Sequence, residues 1–446
     1  MARETITDCI VGDVAATSRN ALVGGPFGSD LVSRDYVPSG VPVIRGTNLG
    51  HGRWVDGDFV YVTPEKADSL VSNCAARGDL VFTQRGTLGQ VALVPKMGAV
   101  RYLISQSQMK LTVDAEKADA MFLYYVFTSA EQQAYIRQNS IQTGVPHTNL
   151  GILRNTPLIL PPLTVQKAIA HILGTLDDKI ELNRRINETL EAMARAIFKN
   201  WFVDFDPVRA KMDGRKPEGM DAATAKLFPD EFEESELGPI PKGWKVTTLG
   251  QVAQNVSNTF DFSSNVDVVF VNTGDVLDGD FLHSNRSDPT GLPGQAKKAI
   301  APDNILLSEI RPANKRFAYV DFDASEYVVS TKFMVIRGSS EIHSRLLYRI
   351  LTSTETLTEF QIQAESRSGT FPQITFDSVS YLPIVLPPRT IQDAYQWLIT
   401  RTDAHIKTNK TQSGVLAALR DTLLPKLLSG EILAGSVPKS IKAATR

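Results

Sequence analysis

The sequence predicts an α+β fold. Two globular domains with mixed or antiparallel sheets are expected to lie inverted, separated by an antiparallel pair of long helices in a coiled coil. Three observations lead there. "LPPLTVQ" (Leu160 to Gln166) returns as "LPPRTIQ" (Leu386 to Gln392), 226 residues later. At that offset Pro146 falls on Pro372, Asp177 on Asp403, Ile180 on Ile406, Asn183 on Asn409 and Leu190 on Leu416, in a register without gaps. Such self-similarity marks a duplicated unit. The run after each proline pair has apolar residues at helical spacing. The stretch before each is a string of short β-rich runs punctuated by Gly, Asn, Asp and Pro. The organisation read from this is a globular domain over 1–158, a helical region over 159–205 and a linker over 206–239. A second globular domain over 240–384, a second helical region over 385–434 and a disordered tail over 435–446 follow.

In the first domain "VPVIRG", "DLVFT" and "VALVP" read as strands and "AMFLYYVFTSAEQQAYIRQ" as helix. The second domain repeats the texture with "DVVFVNT", "NILLS", "YVVSTKFMVIRG" and the helical "HSRLLYRILTSTETLTEFQIQ". Upstream of the helices the match weakens and the offset drifts, as "VIRGTNLGHG" against "FVNTGDVLDG" illustrates. The loops carry groups suited to base edges and phosphates. "FTQRGTLGQ" offers Gln84, Arg85 and Thr87, and "IRGTN" offers Arg45, Thr47 and Asn48; "SQSQMK" adds Gln106 and Gln108. The second half offers Asn272, Thr273, Arg311, Asn314, Lys315 and Lys332 in corresponding places. Arginine reads guanine bidentately, Asn and Gln read adenine, and Ser, Thr and Lys hold phosphate. Taken singly, each of these residues also fits a solvated turn or a cap. Their concentration in matching loops favours DNA.

The helix after Pro162 is expected to start at an N-cap of Thr164, and its repeat at Thr390. A heptad assignment places Ile169, Leu176, Asn183, Leu190 and Ile197 at one core position, with Ile172, Lys179, Ile186 and Met193 at the other. The second copy gives Tyr395, Thr402, Asn409, Leu416 and Leu423, with Leu398, His405, Gln412 and Leu419. Pairing is expected through Ile172, Leu176, Asn183, Ile186, Leu190, Leu398, Asn409 and Leu416. An amphipathic helix lying on its own domain fits the same pattern. In an antiparallel pair Asn183 and Asn409 face each other, and their amides either satisfy one another or bond to water. A helix of about 36 residues spans roughly 54 Å, against about 34 Å for one turn of DNA. The Pro-, Gly- and charge-rich linker between the halves reads as a path laid along the coil.

The 446 residues suit two to four domains, and 42% hydrophobic content suffices for ordinary cores. A formal charge of −2 excludes a uniformly basic surface and leaves a local basic face open. Cys9 and Cys74 form no CxxC pair, so a reducing, cytoplasmic setting is expected. Neither a signal peptide nor a membrane-spanning helix is expected. Catalytic motifs are missing: no GxxxxGK[ST], no GxGxxG and no HExxH. "PDNILLSEIR" is a poor nuclease cluster, with Arg311 where a lysine is needed. Recognition without chemistry, metal or cofactor is the expectation.

Five stretches then carry a family likeness: "GPFGSDL" (Gly25 to Leu31), "YVPSGVPVIRGTNL" (Tyr36 to Leu49), "TGVPHTNLGIL" (Thr143 to Leu153), "LILPPLTVQKAIAHIL" and "LFPDEFEESELGPIPKGW" (Leu227 to Trp244). Over about residues 1–434 the chain resembles the specificity subunit of Type I restriction-modification enzymes. The resemblance implies two target-recognition domains, 1–158 and 240–384, each reading half of a bipartite, asymmetric sequence in double-stranded DNA. It implies helical regions that set the gap and dock two adenine-methyltransferase subunits, with restriction/translocase subunits joining them. S-adenosylmethionine, ATP and Mg would belong to those partners. Arg45, Thr47, Asn48, Arg85, Thr87, Asn272, Thr273, Arg311 and Lys315 then fall in recognition loops, joined by Ser29 of "GPFGSDL". That motif has no clear match in the second half, and the second helix is poorer, with Thr402, His405 and Gln412 in its seam. Two other classes remain: a self-contained DNA methyltransferase or endonuclease, and a scaffold presenting two inverted protein-binding domains.

Overall fold

The computed structural model describes residues 6–50, 52–142, 144–263, 267–367 and 372–436. The chain divides into two units: residues 1–186 with 408–446, and residues 187–407. Both divisions fall inside long helices, Leu163–Phe202 and Arg389–Leu428. Residues 437–446 of the expected tail lie outside the described residues, while Ala434–Ser436 forms a single 3-10 turn.

In the first unit a four-stranded antiparallel sheet runs in the order Leu22–Gly24, Gln108–Leu111, Leu80–Thr83, Val91–Leu93. A five-stranded mixed sheet runs Tyr36–Val37, Val60–Val62, Val41–Ile44, Arg101–Ile104, Cys74–Ala76, with its one parallel pair between Val41–Ile44 and Arg101–Ile104. All four residues of Leu80–Thr83 are buried, and alternation decides where each goes. Leu80 and Phe82 enter a core with the helix Ala120–Thr128, whereas Val81 joins Ile44, Ala92 and Ile104 in a second core. The strand Thr7–Ile10 pairs with Pro157–Leu160 immediately before the first long helix.

The second unit repeats this plan. Its four-stranded sheet runs Ala253–Asn255, Phe333–Gly338, Ile305–Ser308, Phe317–Tyr319. Ile305 and Leu307 enter the core that includes Leu346 and Leu347 of the helix Ser344–Leu351, and Leu306 enters the other. A second sheet holds the parallel pair Val268–Val271 and Tyr327–Ser330. Lys245–Thr248 pairs with Pro383–Leu386 before the second long helix. The duplication thus runs through the heads, where the sequences diverge.

The repeated heptapeptide has one structural job done twice. Gln166 is buried; its Nε2 donates to the Pro161 carbonyl (2.8 Å) and its Oε1 accepts from Asp119 N–H (2.9 Å). Asp119 is the N-cap of Ala120–Thr128. Gln392 does the same: its Nε2 donates to Pro387 (3.0 Å) and its Oε1 accepts from His343 N–H (3.0 Å), the N-cap of Ser344–Leu351. One amide therefore ties the start of each long helix to the start of a helix in the head. Replacing Gln166 by leucine is expected to cost about 1–3 kcal/mol, because the near-isosteric side chain strands two part-buried groups. Urea denaturation checks this, and faster exchange of the Asp119 amide locates it.

Two helix expectations are corrected. The first intrahelical bonds go to the Pro162 and Pro388 carbonyls, so the N-caps are these prolines, and Thr164 and Thr390 lie within the first turn. Proline suits that place because it needs no N–H there. The strict heptad holds only in part: Ile169, Leu176 and Asn183, and Tyr395, Asn409, Leu416 and Leu423, are buried at its first core position, but the second position departs. Met193 and His405 are exposed, while Ala194 and Ile406 next to them are buried. A 3.5-residue seam drifts off one face of a straight helix by about 20° per heptad, which suits the step from Met193 to Ala194.

Within the first unit, Ile169, Ile172, Leu173 and Leu176 share one core with Leu416, Leu423, Leu424 and Leu427 of the second helix and with Phe122 and Tyr125 of the head. The helix therefore packs on its head and on its partner helix at once. Asp177 accepts from the Tyr125 hydroxyl (2.6 Å) and from Arg420 (2.7 Å). Burial first, then the Asp177 charge, drives the Tyr125 hydroxyl far above its ordinary range, so it stays a donor. Ile186 is half-buried. Asn183, buried, donates to the Asn409 main-chain carbonyl (3.4 Å), to Gln412 Oε1 (2.9 Å) and to Ser413 Oγ (3.2 Å). The side chain of Asn183 thus meets the main chain of Asn409.

In the second unit Asp403 takes the part of Asp177 and pairs with Arg345. Glu191 pairs with Arg349 at 3.2 Å. Leu190 and Leu398 are half-buried there. The linker is ordered: Asp206–Met212 and Ala222–Leu227 are helical, and Phe232–Ser235 pairs with Gly238–Pro241. Phe228 and Trp244 join Trp201, Phe202 and Tyr395 in one aromatic cluster, with Phe202 and Tyr395 edge-on at 4.9 Å.

Candidate nucleic-acid interface

In the first unit one turn, Ser105 to Gln108, gathers four other loops. Ser105 N–H donates to Ile44 O (2.9 Å), which anchors the turn beside the Arg45 segment. The Ser107 carbonyl accepts from Gln84 N–H (2.7 Å) and Arg85 N–H (3.3 Å). Gly25 N–H donates to Gln108 O (2.8 Å), and Gln106 Nε2 donates to the Gly28 and Leu31 carbonyls. Thr148 N–H donates to Gln84 O (2.8 Å), and His147 bridges Arg85 in antiparallel fashion. Residues 25–31, 45–48, 84–87, 105–108 and 147–148 therefore form one cluster.

Ser29, Thr47, Arg85, Thr87 and Gln106 are exposed in it, and Arg45 and Gln84 are half-buried. Asn48 and Gln108 are not at the surface. Asn48 closes its 3-10 turn by accepting from Arg45 N–H (3.0 Å) and donates to the Asp56 and Asp58 carbonyls. Gln108 accepts from the Ser105 hydroxyl. Their amides shape the loops from beneath, which corrects the expectation that they face DNA directly.

The second unit builds its cluster around Lys332. Glu309 N–H donates to the Lys332 carbonyl (2.9 Å), and Arg311 N–H donates to Pro372 O (3.1 Å). Ile310 bridges Gln373, as Arg85 bridges His147. Arg316 Nη1 donates to Gly274 O (3.1 Å) and Val276 O (2.9 Å), tying this loop to the turn Thr273–Asp275. Arg311, Asn314, Lys315 and Lys332 are exposed; Asn272 and Thr273 are half-buried, with Asn272 Oδ1 accepting from Thr273 N–H (2.8 Å). Arg311 and Lys315 both hold left-handed backbone, φ 46° and 54°. Left-handed backbone costs about 1–2 kcal/mol per non-glycine residue, and such strain concentrates at working loops. Lys315 also lies 3.8 Å from Asp278.

The loop clusters also include His147 and Gln373, two residues not among the expected readers. His147 and Gln373 are brought in by the strand bridges, and Arg316 positions the second loop. The match of Pro146 with Pro372, followed one residue further, points to the first two.

A family model described as Type I restriction modification DNA specificity domain matches residues 42–192 and 241–416, once in each repeat. The chain belongs to the Type I restriction-modification specificity family. As a specificity subunit, its role is DNA sequence specificity. This specificity subunit is 48% identical over 181 residues to the HindI specificity subunit of Haemophilus influenzae, across 40% of this chain and 39% of that one. It is 24% identical over 427 residues to the MjaIX specificity subunit of Methanocaldococcus jannaschii, across 92% and 91% of the two chains. A crystal structure of a Type I S subunit from M. genitalium shares the fold, with a TM-score of 0.57 at 15% identity over 96% of this chain and 97% of the other. Among the described residues no helix is long and apolar enough to cross a membrane.

Proposed function

We propose that each loop cluster reads one half of a bipartite, asymmetric target in double-stranded DNA. Arg85 and Thr87, with Ser29, Thr47 and Gln106, serve the first half-site. Arg311, Asn314, Lys315 and Lys332 serve the second, and Arg45, Gln84, Asn272 and Thr273 stand at the cluster margins. The long helices set the gap and dock two adenine-methyltransferase subunits, and restriction/translocase subunits join that complex in the cytoplasm. The chain itself is non-catalytic and takes no cofactor; S-adenosylmethionine, ATP and Mg serve the partner subunits.

One observation carries this reading. Two heads of the same topology end in equivalent loop clusters with different side chains, Arg85 beside His147 in one and Ile310-Arg311 beside Gln373 in the other. Equivalent placement suits two DNA readers, and unlike residues suit two unlike half-sites. A self-contained enzyme lacks support in the motifs, and a protein-binding scaffold does not call for polar, arginine-bearing loop tips in both heads.

Arg85→Ala and Arg311→Ala test the assignment in the complex with methyltransferase subunits. Each is expected to relax base choice in one half of the methylated motif by about 1–3 kcal/mol and to leave the other half unchanged. Relaxation of both halves by either variant, or of neither by both, would reject the one-head, one-half-site reading.

A further inference from the structure

Among the described large apolar side chains Phe27 is the most exposed, at 84%. Its loop is nevertheless held firmly. Gly25 donates to Gln108 O, and a Cβ on Gly25 would lie 1.9 Å from the Ser105 carbonyl oxygen, so only glycine permits this approach. Pro26 is buried, and Asp30 N–H closes a turn on Phe27 O at 3.0 Å. Gly28 takes φ 53° within that turn, a backbone few side chains tolerate. Gln106 spans two carbonyls of the loop. A rigid loop thus holds a phenyl ring in water, where the ring forgoes the burial that normally stabilises it.

We propose that Phe27 is an apolar wedge that enters the DNA at a base step of the half-site read by the Arg85 loop. The proposal rests on the DNA-reading role assigned above. The turn 105–108 that fixes the Phe27 loop also fixes Gln84 and Arg85, so wedge and reading loop move as one piece. The exposed residues that follow the ring in its loop are Gly28, Ser29 and Asp30, and exposed Gln106 bonds to that loop, so its own loop is otherwise polar. A protein interface wants a contiguous apolar centre, whereas a single ring amid polar groups is how side chains unstack a base step. In the second unit the segment after Ala253–Asn255 instead buries Phe260, whose ring lies 4.9 Å from Phe262. The distortion should therefore occur in one half-site only.

The test uses the full chain assembled with its methyltransferase subunits and duplexes carrying 2-aminopurine in place of successive adenines, excluding the modified one. Wild type should raise fluorescence at one step of the first half-site and at none in the second. Phe27→Ala should abolish that signal and weaken binding about tenfold, while Phe27→Trp retains both. Unchanged fluorescence and affinity in Phe27→Ala would overturn the wedge. So would a Phe27→Ala chain that fails to assemble with methyltransferase subunits without DNA, which would make the ring a protein contact. If wild type itself does not prefer its own motif to a scrambled duplex, the DNA-reading role fails, not only the wedge.

Discussion

Truncating Leu176 to alanine is expected to remove about 3–5 kcal/mol from the stability of the first unit. Leu176 is fully buried in a core that takes side chains from the head and from both long helices. Its loss opens a cavity that three elements line, and none of them relaxes without disturbing the other two. Met193, a seam position in the expected heptad, is 53% exposed. Met193→Ala should therefore fall within about 0.5 kcal/mol of wild type. Urea denaturation of the two variants separates the packings. Equal costs would restore the heptad seam and contradict the buried faces described above.

Deleting residues 180–186 together with 407–413 is expected to shorten the gap in the modified DNA motif by about 3 base pairs. Seven helical residues rise about 10 Å. The paired deletion removes Asn183 with Asn409, Gln412 and Ser413, so no buried amide loses its acceptors. Seven residues also nearly complete two turns, which keeps the apolar faces aligned to about 20°. Deleting either segment alone should instead abolish modification, because the remaining helix would lose its register. Sequencing of modified adenines reads the gap directly, and an unchanged gap would refute helix length as its determinant.

Much of this architecture was legible because it is written twice. The ungapped register from Pro146 to Leu190 locates the helices and the proline pairs that open them. The topology of the heads was less so, since strands of three or four residues carry little periodicity and their loops differ in length. Helix starts were misplaced by two residues because threonine is the usual cap, yet here the proline carbonyl takes that place. One seam position departs because a heptad and a straight helix diverge slowly: Met193 looks no worse than Ala194 in the sequence, whereas His405 beside Ile406 already marks a poor fit. The prolines and charges of the linker suggest a path laid along the coil but not its anchor, Phe228, which is buried in a core. In the loop clusters, residue type indicated polarity but not burial. Asn48 and Gln108 carry the same chemistry as exposed Gln106, and only the fold distinguishes a loop's foundation from its face.

Two unlike heads are expected to specify two separated blocks of DNA sequence. The most direct measurement is a map of modified adenines in DNA from cells with and without this chain. The expected result is a motif of two specified blocks flanking an unspecified gap, modified only when the chain is present. Identical maps, or a single uninterrupted motif, would contradict it.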